Sequence, residues 1–205
     1  MILPLFPLPD VTFFPHTILP LHVFEARYRA MVSDALARDR RLCIVKLQPG
    51  HEASYAGKPP LHTVAGAGEI VSGERLPSGR FNIMVKGQGR VRLVREIPSD
   101  TLYRLAQAEP LEDVGPTGDV DPLVIRIKRA CGELLDALGR PPELLDTALA
   151  AGQAPGVVAD RIAAAVIPDA EVRQALLETL DVRARLERVA SAVEGLVREL
   201  KGPRE

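Results

Sequence analysis

FPHTILPLHVFEARYRAMV, residues 14–32, joins a proline-punctuated apolar run to a charged, amphipathic segment. It follows MILPLFPLPDVTF, so prolines at 4, 7, 9, 15 and 20 punctuate the apolar sequence ahead of residue 24. Pro4, Pro7 and Pro9 break the apolar helix that a secretory signal needs, and no basic stretch precedes them. No run reaches the ~18–20 apolar residues of a membrane span. From residue 25 to about 39 the period changes: Phe24, Tyr28, Met31, Val32 and Ala35 fall on one side of a predicted helix, with Arg27, Arg29, Asp34 and Arg38 largely elsewhere. The segment before this helix reads as a proline-framed loop that can hold apolar side chains at a surface.

Working outward, Ile2 to Phe6 reads as a short strand at an edge or a strand end, because proline cannot donate to a ladder. LCIVKL (42–47) has a strand pattern, and QPGHEASYAGKPP (48–60) has no apolar period and reads as an exposed loop. VAGAGEIVS (64–72), FNIMVKGQGRVRLVREI (81–97) and LYRLAQAEPL (102–111) are further predicted strands. Phe81, Ile83 and Val85 alternate, as do Val91 and Leu93, and the glycines at 87 and 89 between them predict a bulge, a bend or a close backbone approach. Five or six such strands with uneven loops suggest a closed or nearly closed antiparallel barrel.

The pattern changes at EDVGPTGDVDP (112–122). Asp121 is placed to cap a helix whose first residue is Pro122, and Leu123, Ile127, Ala130, Cys131, Leu134 and Leu138 form its apolar stripe as far as Gly139. Further helices are predicted from 142 to about 151, over 156–166, through AEVRQALLETL, and through DVRARLERVASAVEGLVREL. The last has fewer than three heptads of apolar spacing, which favours packing within a bundle over a dimerisation zipper. The reading is therefore an α+β chain: a barrel with one early helix over residues 1–115, then a helical bundle over 116–205.

The sequence carries few signs of catalytic or ligand-binding chemistry. The formal net charge is −1 and no basic tract occurs, which disfavours a phosphate-backbone binder. Arg90, Arg92 and Arg95, with Lys86 nearby, read as the wet face of a strand, and a chain without tryptophan lacks an evident stacking platform. There is no GxxxxGK motif, and GQGRVR (87–92) is not GxGxxG. His16, His22, His51 and His62 have no HExxH or i,i+4 spacing and CxxC is absent, so neither metal nor cofactor is expected; His51 and His62 flank the long loop. Cys43 and Cys131 each sit in an apolar run and read as buried, reduced thiols of a cytoplasmic protein. No serine lies in GxSxG, and no carboxylates form an evident acid–base pair. A folded chain with 46% hydrophobic residues is expected, with disorder confined to the terminal KGPRE.

LPLFPLPDVTFFPHTILPLHVFEARYRAMV resembles the start of the substrate-binding N-terminal domain of the ATP-dependent Lon proteases and of stand-alone Lon N-terminal-domain proteins. The similarity continues through GAGEIVSGERLPSGRFNIMVKGQGRVRLV, with Gly87 to Arg90 at the family's G-x-x-R-like element, and through QALLETLDVRARLERV (174–189). It implies a PUA-like β-barrel followed by a helical bundle, and a role in engaging polypeptide substrates. The family's ATPase motif and Ser-Lys peptidase region have no counterpart here, so a non-enzymatic protein is expected. Two departures put side chains where the family commonly has glycine, at His16 and Cys43.

The function expected from both lines is binding of unfolded or hydrophobic polypeptide segments, as an adaptor to proteolytic or chaperone machinery. Phe13, Phe14, Ile18 and Leu19 are the candidate contacts. Glu25, Arg27, Tyr28 and Arg90 are signature positions, the first three expected to brace the loop. The alternatives are an RNA-associated PUA-like module working through Arg90, Arg92 and Arg95, and an isolated hydrolase.

Overall fold

The computed structural model describes residues 1–50 and 57–202, so His51 and the last three residues of KGPRE lie outside the described residues. The chain divides into two compact units, Met1–Glu112 and Asp113–Glu205. It is a mixed α+β structure, six strands in the first unit and helices in the second.

The first unit runs β1 (Ile2–Leu8), β2 (Ile18–Val23), α1 (Ala26–Leu36), β3 (Arg41–Lys46), β4 (Val64–Arg75), β5 (Phe81–Ile97) and β6 (Leu105–Leu111). The order is β2-β5-β4-β3-β1-β6, and a further β5–β6 pairing joins the far strand back to β5. β5 can serve three neighbours because it is 17 residues long: residues 81–86 pair with β2, residues 90–97 with β6, and β4 lies along its other side. Strands β5, β4, β3, β1 and β6 thus close into a ring, and β2 stays outside it, paired among the described residues with β5 alone.

Among the described residues every pairing between these strands is antiparallel except β1 with β3. A parallel pair needs a crossover, and the chain through β2 and α1 supplies it. β1 lies between β3 and β6, not at the edge its prolines suggest, because its two halves pair with different strands. Residues 2–4 pair with β6 and residues 5–8 with β3. The Leu5 N–H donates to the Arg104 carbonyl, so odd-numbered positions face β6 and even-numbered ones face β3. Pro4 therefore turns its nitrogen toward β3 before that pairing starts, and Pro7 toward β6 after that pairing has ended. Neither missing donor interrupts a ladder.

Alternation divides the barrel side chains into two clusters. Leu3, Leu5, Cys43, Val45, Ala65, Val91, Ala106 and Ala108, drawn from all five ring strands, pack together. The alternate residues of β1, β3 and β4, including Phe6, Leu42, Ile44 and Ile70, with Ile83 and Val85 from β5 ahead of its register shift, pack with Tyr28, Met31, Val32 and Ala35 of α1. Each fully buried large side chain here contributes about 1.5–3 kcal/mol of transfer free energy. Phe24 does not share the α1 stripe: Glu25 is the N-cap, so Phe24 precedes the helix and is 59% exposed.

The second unit contains α2 (Asp121–Ala137), a 3-10 turn (Pro142–Leu145), α3 (Asp146–Leu149), α4 (Pro155–Val166), α5 (Ala170–Glu178) and α6 (Val182–Lys201). The single helix predicted from 142 is thus two short pieces ending at Leu149. Asp121 is already helical and the N-cap position falls on Val120, while Asp119 accepts from the Asp121 N–H. Asp169 and Asp181 do cap their helices through the side chain. α6 buries Leu186, Val189, Ala190 and Val193 and packs against α2 and α4.

At the centre of this unit Arg185 is completely buried. It forms a two-bond ion pair with Asp113, donates to the Thr179 carbonyl at 2.6 Å, and lies 3.1 Å from the buried carboxylate of Asp160. A Cβ on Gly156 would stand 2.9 Å from Asp113 Oδ2 and 3.1 Å from the Arg185 guanidinium, so glycine leaves room for the pair. Among the described residues, no helix is long and apolar enough to cross a membrane.

Candidate functional site

The prolines of residues 14–32 frame a strand rather than a loop. In β2, Leu19, Leu21 and Val23 turn inward against the barrel core, and Ile18, Pro20 and His22 turn outward. Opposite them on β5, the outward residues are Lys86, Met84 and Asn82; beyond these on β4 are Glu69, Ser72 and Glu74. Val71 sits at the register shift between Ile70 and Ser72.

The outer face of these three strands is apolar at its centre. Ile18 is 49% exposed, Val71 46% and Met84 40%, and Pro20 directly faces Met84 across the ladder. Phe24 adds a ring 6.4 Å from that of His22, whose Nδ1 bonds Asn82 at 2.8 Å. No charged side chain occurs from Val11 through Phe24. At one end of the face Gln88 donates to Glu69 at 2.7 Å. Covering the exposed half of one of these large side chains is worth about 1 kcal/mol.

A glycine-lined crossing holds this face in place. Phe13 and Phe14 are 2% and 0% exposed, so neither presents a contact surface. Their backbone crosses the β4–β5 ladder where it has no side chains: a Cβ on Gly66 would meet the Phe13 carbonyl oxygen at 2.1 Å, and one on Gly87 the Phe14 carbonyl oxygen at 2.1 Å. Gly68 makes room for the Phe13 ring. The His16 N–H donates to the Gly87 carbonyl and the Gly87 N–H to the Thr17 carbonyl, fixing the entry into β2. Gln88 is the extra residue of a bulge at this point, since Ala67 pairs with Gly89 and Gly68 with Gly87. His16 has φ +62°, in the left-handed region that glycine enters without strain.

Leu19 is half-buried and packs on the core, leaving Ile18 as the exposed member of the four candidate contacts. Glu25, Arg27 and Tyr28 meet just after β2. Arg27 lies 2.8 Å from the Glu25 carboxylate and 4.7 Å above the Tyr28 ring, and Tyr28 stacks on Phe6 of β1 with centroids 4.4 Å apart. The arrangement ties the start of α1 to β1. Met84, Val71, Pro20 and Phe24 are absent from the sequence-based candidates; their signal is an apolar residue at the outward phase of a period-two pattern.

Arg90 is only 4% exposed, whereas Arg92 and Arg95 are exposed, so these three arginines do not form a continuous basic surface. Arg95 donates to Gln107. A cavity of about 300 Å³ opens beside Tyr28, with Arg27, Glu96, Tyr103 and Arg104 in its wall. Arg104 is ion-paired to Glu96 and bonded to the Pro59 carbonyl, and this guanidinium holds the Glu96 carboxyl below the usual range. Burial, with the hydrogen bond to Asp34 at 2.8 Å, pushes the Tyr103 hydroxyl up to about 12. Burial likewise pushes the Cys43 thiol up to about 12 and Cys131 to about 11, the opposite of what a nucleophile needs. Among the described residues no three His, Cys, Asp or Glu side chains are grouped to hold a metal.

The family model of the ATP-dependent protease La (LON) substrate-binding domain matches residues 2–194. Lon protease 2 of Myxococcus xanthus is 30% identical over 190 residues, covering 92% of this chain and 23% of that protein. Lon protease of Anaeromyxobacter dehalogenans is also 30% identical, over 92% of this chain and 22% of its own length. The chain thus spans about a quarter of the length of these curated relatives. Among solved structures, the N-terminal domain of Mycobacterium avium complex Lon protease superposes with a TM-score of 0.75 at 18% identity, covering 94% of this chain and 98% of that one. A Lon N-terminal domain protein from Xanthomonas campestris superposes with a TM-score of 0.66 at 21% identity, covering 93% and 98%. These two likenesses concern the fold.

Proposed function

The chain belongs to the LON substrate-binding domain family, and from that premise we propose that its barrel unit binds unfolded or exposed apolar polypeptide segments on the outer face of β2, β5 and β4. The observation that carries this reading is the exposed apolar set of Ile18, Pro20, Val71, Met84 and Phe24 on an outer strand face that also bears Lys86, Glu69 and Glu74. Unfolded chains present apolar side chains that native proteins bury, so such a face selects clients by their folding state. Two or three anchors of about 1 kcal/mol each give weak, reversible capture, suited to an adaptor that hands a client on.

In this reading Phe13 and Phe14 support the face from within, and Ile18 is the contact residue of the proline-framed segment, with Leu19 beneath it. The protein acts without catalysis of its own, in the cytoplasm, with proteolytic or chaperone machinery as the recipient.

The test is fluorescence anisotropy with a labelled, permanently unfolded client such as a carboxymethylated protein. The double variant Ile18→Ser, Met84→Ser is expected to weaken binding roughly tenfold or more while retaining its fold. Unchanged affinity in the folded variant overturns the proposal.

A further inference from the structure

Resting on that reading, we propose how the client is held: as an added β-strand along the free edge of β2, bonded through its backbone. The topology supplies the opening. Each ring strand has a neighbour on both sides over part of its length, but β2 is bonded to β5 on one side and along its whole length to nothing on the other among the described residues.

The parity of the edge follows from one bond. The Gly87 N–H donates to the Thr17 carbonyl, which makes Thr17 and Gly87 a directly bonded pair. The same register then bonds Leu19, Leu21 and Val23 to β5 and turns the backbone groups of Ile18, Pro20 and His22 to the open side. The edge offers the N–H groups of Ile18 and His22 as donors and the carbonyls of Ile18, Pro20 and His22 as acceptors.

Exposed edges are commonly guarded by lysine, a bulge or proline. Here no side chain of β2 is charged, and Pro20 is the sole guard within the strand. Pro20 removes one donor but leaves its carbonyl available, so it shortens the ladder without closing it. It also disfavours long edge-to-edge pairing, which suits a site for short, transient strands.

The geometry also sets the sequence preference of the client. With the client antiparallel to β2, its residues opposite Ile18, Pro20 and His22 both donate to this edge and place their side chains on the outer face beside Ile18 and Met84. The occupant is therefore an extended, uncharged segment with apolar residues at alternate positions, and those same positions carry the bonding N–H groups.

The probe is a short synthetic peptide with leucine at alternate positions, serine between them and a terminal lysine for solubility, N-methylated at one position at a time. Methylation at leucine positions is expected to weaken binding about fivefold per blocked N–H, with serine positions tolerating it. On the protein side, His22→Pro removes one edge donor and His22→Val keeps it; the proline variant is expected to bind about fivefold more weakly than the valine variant. Thermal melts of both variants establish that they are folded. Peptide binding with no alternation, or with equal affinity in the two variants, overturns strand addition and leaves the apolar face as the site. No peptide binding at all overturns both readings. Self-association of the free protein that disappears in the His22→Pro variant assigns the edge to a second copy and overturns the proposal.

Discussion

Replacing Gly87 with alanine tests the crossing that creates the β2 face. The added Cβ would stand 2.1 Å from the Phe14 carbonyl oxygen and 3.2 Å from Pro15 Cα, both backbone atoms that no side-chain rotation can move. Restoring contact near the ~3.5 Å optimum requires the 13–15 segment to lift by about 1.4 Å. That displacement breaks the bonds from His16 N–H to Gly87 and from Gly87 N–H to Thr17, each contributing about 0.5–1.5 kcal/mol. It also loosens Phe13 and Phe14, whose complete truncation would cost about 3–5 kcal/mol apiece. A loss of about 2–4 kcal/mol follows. Gly89, two residues along the same strand, has nothing within 4 Å of its Cβ position, so Gly89→Ala is expected to lie within about 1 kcal/mol of the parent. Urea unfolding of the two variants provides the comparison. Equal midpoints would refute the close-approach account.

Arg185→Ala leaves Asp160 and Asp113 without their cation and is expected to cost about 3–5 kcal/mol in urea unfolding; a loss under about 1 kcal/mol would contradict the buried pairing. At neutral pH, Cys43 and Cys131 should resist a thiol reagent until denaturant is added, because burial keeps both protonated; rapid labelling of the native protein would contradict this. Arg126 bonds Glu194 at 2.6 and 2.7 Å and lowers its carboxyl pKa, so the pair stabilises the fold above the ordinary glutamate range and less as pH falls through the depressed value. Glu194→Gln should therefore narrow the stability difference between neutral and acid pH; an unchanged pH profile would contradict that.

The parts of the fold legible in the sequence are those whose period is set by one continuous burial surface. The stripe of α2 and the alternation of Phe81, Ile83 and Val85 are of this kind. β2 reads as a loop because Pro20 argues against a strand, yet an edge strand needs only every second backbone group, and Pro20 falls on the unused side. β1 misleads for a related reason: its two prolines fall where its pairing passes from β6 to β3.

Phe13 and Phe14 look like surface candidates because what buries them is missing side chain, at Gly66, Gly68 and Gly87, and empty space leaves no apolar signal. Arg185 looks like one more arginine on a charged helix; its carboxylate partner Asp113 is 72 residues away, in the turn-rich segment 112–122. Met84 was visible in principle as an apolar residue at the polar phase of a strand. Its meaning required knowing that Ile18, Pro20 and Val71 surround it.

Amide hydrogen exchange of the protein with and without a carboxymethylated, unfolded client locates the binding face residue by residue. The account predicts slowed exchange at Ile18 and His22, with added protection in the neighbouring β5 segment 82–86 and none in α2 through α6. Protection confined to the helical unit, or to the strand end carrying Arg92 and Arg95, would contradict it.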